Sequence, residues 1–336
     1  MQSTQEQTKC PIVIPGVRIG ALIGKGNTGW VFQGLQEAIN RPVAVKVMLL
    51  PDPSDETGCT ELERVRREAV ILGSFDNSNI LRIYDYGEKD GYAYLVEELI
   101  VGRTLRQRLA DQERVSLPEL RRIMRDVVSG FEHSHRRGVL HRDPKPANIM
   151  QRADGSSVVI DFGLARSSDS TLTLAGTAIG TPLYVAPEQW RGEPIDFRAD
   201  IYSTAATMYH VATWMKPYPG NGIEQVIAQV LKDDPVPPSQ IAPHLPPEFD
   251  AVIRCAMAKN PAYRYETMTE FGAAVERALS PCAPLPDDTV VLPRATEDRA
   301  RSTAATTVRA ARTGTRPRPA KRRRWFRLLE GLLLAG

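Results

Sequence analysis

Cysteine is scarce in this chain and nowhere paired. The four residues, Cys10, Cys59, Cys255 and Cys282, lie far apart with no C-x-x-C spacing, which argues against a zinc site and against a disulfide framework. Long apolar runs are missing too. The opening residues Met1-Gln2-Ser3-Thr4-Gln5-Glu6 are polar, so no signal peptide is expected and a reducing cytosol is the expected compartment. Near the other end, the leucines of 328–334 are interrupted by Glu330 and preceded by Arg327, too short a stretch for the about 20 apolar residues of a membrane span. Net charge is small, +3 over 336 residues, yet unevenly held: residues 281–336 carry 12 Arg and Lys against 5 Asp and Glu, a net of +7 that leaves −4 on residues 1–280. The basic character belongs to the tail, no RNA- or DNA-binding motif accompanies it, and no nucleic-acid partner is expected.

What the chain does have is the segment His141-Arg142-Asp143-Pro144-Lys145-Pro146-Ala147-Asn148, followed a short strand later by Asp161-Phe162-Gly163. Two carboxylates, an amide and an ammonium thus arrive on two neighbouring loops. A transferring phosphoryl group spreads negative charge over its oxygens, so a protein helps mainly by holding Mg²⁺, aiming the acceptor hydroxyl and placing cations nearby. Asp143 suits the proton of that hydroxyl, and Lys145 suits the transferred phosphate. Asn148 and Asp161 offer the hard oxygen ligands that Mg²⁺ prefers. The tripeptide His141-Arg142-Asp143 alone says little, since it occurs by chance in many soluble chains. With Lys145, Asn148 and Asp161-Phe162-Gly163 at this spacing, the chain resembles protein kinases. Pro144 departs from the usual leucine and restricts Asp143 toward extended angles, which the loop has anyway.

Other motifs agree. Gly24-Lys25-Gly26-Asn27-Thr28-Gly29-Trp30-Val31 fits G-x-G-x-x-G-x-V. By itself this spacing equally opens a dinucleotide-binding unit, but there a helix would begin at the third glycine, whereas Trp30-Val31-Phe32 is β-prone. Val43-Ala44-Val45-Lys46 reads as an apolar strand ending in a cation, which periodicity alone leaves as a generic buried strand. From Thr60 to Leu72 the spacing is helical, with Leu62, Val65, Ala69 and Leu72 on one face. Strands are predicted at Ile80 to Tyr86 and Tyr92 to Leu99 around a Glu88-Lys89-Asp90-Gly91 turn. A long amphipathic helix is predicted from Leu117 to Arg137, stopping at Gly138.

The resemblance implies an α+β, bilobal fold: residues 1–16 a flexible N-terminus, 17–280 the kinase domain with a small β-rich lobe at about 17–99 carrying one main helix and a larger, mostly helical lobe at about 100–280. ATP and Mg²⁺, or Mn²⁺, are the implied cofactors. Gly24, Gly26 and Gly29 would let the backbone approach the phosphates, with Thr28 where many relatives carry an aromatic. Lys46 would be oriented on the phosphates by an ion pair with Glu68. The backbone of Glu98 to Ile100 would hydrogen-bond adenine, between Val31 and Ala44 above and Met150 below. Glu97 falls at the gatekeeper, usually apolar or threonine. Asp200 would accept hydrogen bonds from the catalytic-loop backbone, and Arg264 would pair with Glu188.

Thr181 and Ala186-Pro187-Glu188, with Lys145, imply serine/threonine specificity. Arg142 would dock a phosphorylated residue of the loop before Glu188, with Thr173 the first candidate and Thr171 or Thr177 the next. Implied partners are protein substrates, the chain itself among them, and phosphothreonine-binding modules of the FHA type. Residues 281–320, rich in Pro, Thr, Ala and Arg, read as a disordered linker. The basic, aromatic and leucine-rich segment 321–336 resembles the inner membrane border of bacterial receptor kinases and suits an anionic membrane surface. A pseudokinase acting as a scaffold is the rival, although Lys46, Asp143 and Asp161 are all retained.

Overall fold

The computed structural model describes residues 9–26, 29–50, 56–162 and 182–280. Strands Val17–Gly26 (β1) and Gly29–Gln36 (β2) form a hairpin, and Arg41–Leu49 (β3) returns beside β2. Helix α1 (Glu56–Gly73) follows, then β4 (Ile83–Lys89) and β5 (Tyr92–Glu98), completing an antiparallel sheet of order β1-β2-β3-β5-β4. Side chains alternate across a strand. Val43, Val45 and Val47 therefore bury on one face with Phe32 and Val96, while Ala44, Lys46 and Met48 face the other way. That alternation puts Lys46 on the inner face.

Two boundaries differ from expectation. Ile12 and Ile14, assigned to a flexible N-terminus, are only 4% and 2% exposed, because the outer face of the sheet takes up their apolar side chains. Strand β4 starts at Ile83 rather than Ile80, since Ile80 is drawn into a parallel bridge with Val159. The β4–β5 turn matches its chemistry: Asp90 and Gly91 both have positive φ, 51° and 78°, as a two-residue hairpin turn of type I′ requires. Helix α1 begins before Thr60, and its face of Leu62, Val65, Ala69 and Leu72 is buried as the spacing implied.

The second part begins with β6 (Gly102–Thr104), α2 (Leu105–Ala110) and α3 (Leu117–His135), followed by β7 (Ile149–Arg152) and β8 (Ser157–Val159), with β6-β7-β8 forming a small sheet. Ser116 caps α3 and Gly138, at φ 74°, closes it by donating to the His135 carbonyl, so the helix proper ends two residues before Arg137. Helices α4 (Pro187–Arg191), α5 (Arg198–Thr213), α6 (Ile223–Lys232), α7 (Pro238–Ile241), α8 (Pro247–Ala256) and α9 (Met268–Ala278) complete the described chain. Ala199 through Tyr209 are buried without a break, so α5 is a central helix enclosed on all sides rather than an amphipathic surface one. The molecule is thus a sheet lobe with one long helix and a mostly helical lobe. Among the described residues no helix is long and apolar enough to cross a membrane.

Candidate active site

The site is anchored from α5. The Asp200 carboxylate, fully buried, accepts the backbone N–H groups of His141 (2.9 Å) and Arg142 (2.8 Å) and meets His135 Nε2 at 2.8 Å. Burial works against its charge, but these hydrogen bonds and the neighbouring histidines hold its carboxyl below the usual range. Arg142 sits at φ 66°, a left-handed conformation costly for a residue with a Cβ, and the bond from its N–H to Asp200 helps to hold it there. Thr207, about two turns further along α5, donates to the Pro144 carbonyl at 3.1 Å, so the proline is accommodated in an extended loop. Neither Thr207 nor His135 carries a sequence signal for this role beyond its place on a helix.

His141 is also fully enclosed. Burial lowers its pKa, and the neutral ring fits its hydrogen bonds: Nε2 pairs with the Ile160 carbonyl at 2.9 Å and Nδ1 takes the Asp143 N–H at 3.2 Å. Asp143 Oδ2 then lies 2.5 Å from Lys145 Nζ. Asn148 donates its side-chain amide to the Asp143 backbone carbonyl at 3.0 Å, and its backbone carbonyl accepts the Ile160 N–H at 2.9 Å, tying the loop to the strand that leads to Asp161. The side-chain oxygen of Asn148 and the carboxylate of Asp161 form a two-oxygen donor set. Mg²⁺ is commonly held by one or two such groups together with substrate phosphates, so the residues present fit that ion.

Asp161 has φ 58° and places Oδ1 2.6 Å from Lys46 Nζ. Lys46 holds the Asp161 carboxyl below its usual range against the opposing effect of burial. Phe162 next to it is buried, edge to face with Phe75 and 4.7 Å from the His141 ring. The glycine loop shows two different needs. A Cβ on Gly29, at φ 144°, would lie 1.9 Å from the Val47 carbonyl oxygen, so the fold itself demands glycine there. Among the described residues, a Cβ on Gly26 would meet nothing within 4 Å and one on Gly24 only ordinary contact with Val31, so their packing does not explain these two glycines. Val31 lies opposite Lys46 in the ladder, and Ala44 lies opposite Glu97. Glu98 turns its carboxylate to Arg152 at 2.7 Å and donates its backbone N–H to the Arg82 carbonyl at 2.9 Å, and the Ile100 N–H has no hydrogen-bond partner among the described residues. Met150 sits on β7, paired with Thr104 and Val158.

Residues 17–273 match the protein kinase domain model. The chain belongs to the protein kinase domain family. Similar proteins are a "Probable serine/threonine-protein kinase PknB" of Corynebacterium glutamicum, 38% identical over 79% of this chain and 42% of the relative, and one of the same name in Bifidobacterium longum, 36% identical over 79% and 40%. A "Serine/threonine-protein kinase PknL" of Mycobacterium tuberculosis is 35% identical over 82% of this chain and 68% of the relative. The chain spans about two fifths of the length of the first two.

Against the kinase pattern, one expected contact is rearranged. The Lys46–Glu68 ion pair is not made: Lys46 is taken by Asp161, and Glu68 Oε1 lies 4.0 Å from Arg142 Nη1. Asp161, turned inward by its left-handed backbone, wins the ammonium, and α1 leaves Glu68 facing the catalytic loop of the kinase. The buried fork expected between Arg264 and Glu188 is present, with N–O distances of 2.6 and 2.7 Å. Thr171, Thr173, Thr177 and Thr181, with residues 281–336, lie outside the described residues.

Proposed function

We propose that this kinase domain transfers the γ-phosphate of ATP to serine and threonine hydroxyls of proteins. The observation that carries the reading is the clamp on Asp143: a carboxylate 2.5 Å from Lys145, on a loop held by Asp200, next to the donor pair Asn148 and Asp161. Asn148 and Asp161 would hold the divalent ion, which would supply charge neutralisation at the phosphates. Asp161 would give up its contact with Lys46 to do so. Lys46 then holds the α- and β-phosphates, and Gly24 and Gly26 admit the phosphate chain. Asp143 takes the proton of the acceptor hydroxyl while the hydroxyl's oxygen bonds to the γ-phosphorus and the bond to the β–γ bridging oxygen breaks. ADP departs, and Lys145 stabilises the transferred phosphoryl oxygens.

Control by phosphorylation of Thr173, Thr171 or Thr177 belongs to the same reading, supported by Arg142, which contacts Glu68 here and would dock a phosphate when α1 returns that glutamate to Lys46. Thr181 is proposed as the platform for the acceptor residue, FHA-type modules as readers of the product, and the segment 321–336 as a contact with an anionic membrane surface at its inner face. Incubation with γ-labelled ATP and Mg²⁺, with phosphosite mapping, tests the activity. Wild type should label itself or a generic basic protein, and Asp143→Asn should cut the rate at least about a hundredfold. No transfer by wild type would favour a nucleotide-binding scaffold instead.

A further inference from the structure

Glu97 is the least ordinary residue of the site. It is 6% exposed and borders a recess of about 20 Å³ together with Lys46, Leu72, Ile83, Asp161 and Phe162. That volume holds about one water molecule. Charged carboxylates are buried only with a partner, because leaving water costs them far more than apolar contact returns. Among the described residues lining the recess, Lys46 is the one cation. The ladder explains why Glu97 is near Lys46 although no ion pair joins them here: Glu97 lies opposite Ala44, two residues before Lys46 on β3, so Glu97, Ala44 and Lys46 share one face of the sheet.

The charges agree with the geometry. Burial pulls the Lys46 ammonium down, but Asp161 first and Glu97 second outweigh it and the net shift is upward. Burial pushes the Glu97 carboxyl up to about 7, with Lys46 pulling the other way. Lys46 is therefore flanked by two carboxylates, neither of them Glu68. One of the two, Asp161, is needed at the metal during the reaction. Glu68 rides on α1, whose position decides whether it reaches the ammonium at all. Glu97 sits on the strand next to Lys46, and its separation from it is set by hydrogen bonds of the sheet.

We propose that Glu97 is a positioning residue for Lys46: a sheet-borne carboxylate that keeps the ammonium in the recess when Asp161 turns to the metal and when Glu68 is away. In this chain Lys46 then has two interchangeable acidic partners, one fixed and one mobile. Loss of either is partly covered by the other, and loss of both is not.

The inference rests on the proposed contact of Lys46 with the phosphates, and Mg²⁺–ADP affinity at pH 8 reads it without turnover. The comparison takes wild type, Glu68→Gln, Glu97→Gln and the double variant, repeated with Glu97→Met as an apolar side chain suited to a buried position, and each protein is checked by thermal melting. Glu68→Gln should weaken Mg²⁺–ADP binding at least about tenfold more in the Glu97→Gln background than in wild type. The coupling should vanish when Lys46→Met is added. Additive losses, or a coupling that survives Lys46→Met, would overturn the inference. Unchanged affinity in Lys46→Met alone would instead overturn the role of Lys46 at the phosphates.

Discussion

Asp200 Oδ1 accepts the Arg142 N–H at 2.8 Å and so holds a residue with a side chain at φ 66°, across 58 positions of sequence. The same carboxylate serves His141 and His135. Asp200→Ala removes the acceptor from all three and leaves buried donors unpaired, a cost of about 3 kcal/mol, or a fall in Tm of roughly 6–12 °C for a domain of this size. Because the backbone held by Asp200, at His141 and Arg142, leads directly into Asp143, whereas Lys46 and the glycine loop proposed to bind the nucleotide lie on the sheet, kcat should fall more than the KM for ATP rises. Steady-state kinetics beside thermal melts checks both.

The glycine loop separates a structural from a functional glycine. Gly29→Ala drives a methyl to 1.9 Å from the Val47 carbonyl oxygen and should lower Tm markedly. Gly26→Ala meets no atom of the described residues within 4 Å and should leave Tm within about 2 °C while raising the KM for ATP several-fold. Equal behaviour of the two variants would remove the phosphate role from Gly26.

Glu97 makes stability depend on pH. Its carboxyl sits at about 7 in the folded chain against an ordinary 4.5, mainly through burial, with Lys46 lowering and Asp161 raising it. Between those values the unfolded chain releases a proton that the folded one keeps, so the stabilisation is complete below about pH 4.5 and is lost as pH rises to about 7. At about 1.4 kcal/mol per pH interval the loss is roughly 3 kcal/mol. Glu97→Gln has no such proton. Its Tm advantage over wild type should grow from pH 5 to pH 8, and a constant difference would contradict the burial argument.

The Arg264–Glu188 fork is 0% and 2% exposed by side chain, and Arg264 also donates to the carbonyls of Ala258 and Arg198. Arg264→Ala strands a buried carboxylate and should cost about 3–5 kcal/mol. Arg264→Lys cannot reproduce the two parallel bonds and should recover less than half of that loss in denaturant titration.

Much of this was legible in the residues. Alternation at Val43-Ala44-Val45-Lys46 determined that Lys46 shares a face with Ala44 and not with the valines, because a strand has a period of two; with both faces of β3 buried, packing decided which of them turns inward. The spacing of Leu62, Val65, Ala69 and Leu72 determined the buried face of α1, and the chemistry of Asp90-Gly91 its hairpin turn. The order of Asp143, Lys145, Asn148 and Asp161 determined which polar groups the two loops carry, and Asp143 does meet Lys145 and Asn148. Such patterns are local, and they report which side a residue faces.

Which partner a charged group finds there is another matter. Glu68 occupies the expected position, yet Asp161, 115 residues from Lys46 along the chain, holds the ammonium. That choice depends on the placement of α1 and the backbone angle at Asp161, both set by packing between distant elements. The burial of Ile12 and Ile14, the bond from Thr207 to Pro144 and the enclosure of Glu97 beside Lys46 arose the same way. Desolvation and distance decide the competition among carboxylates, and both exist only once the chain has folded.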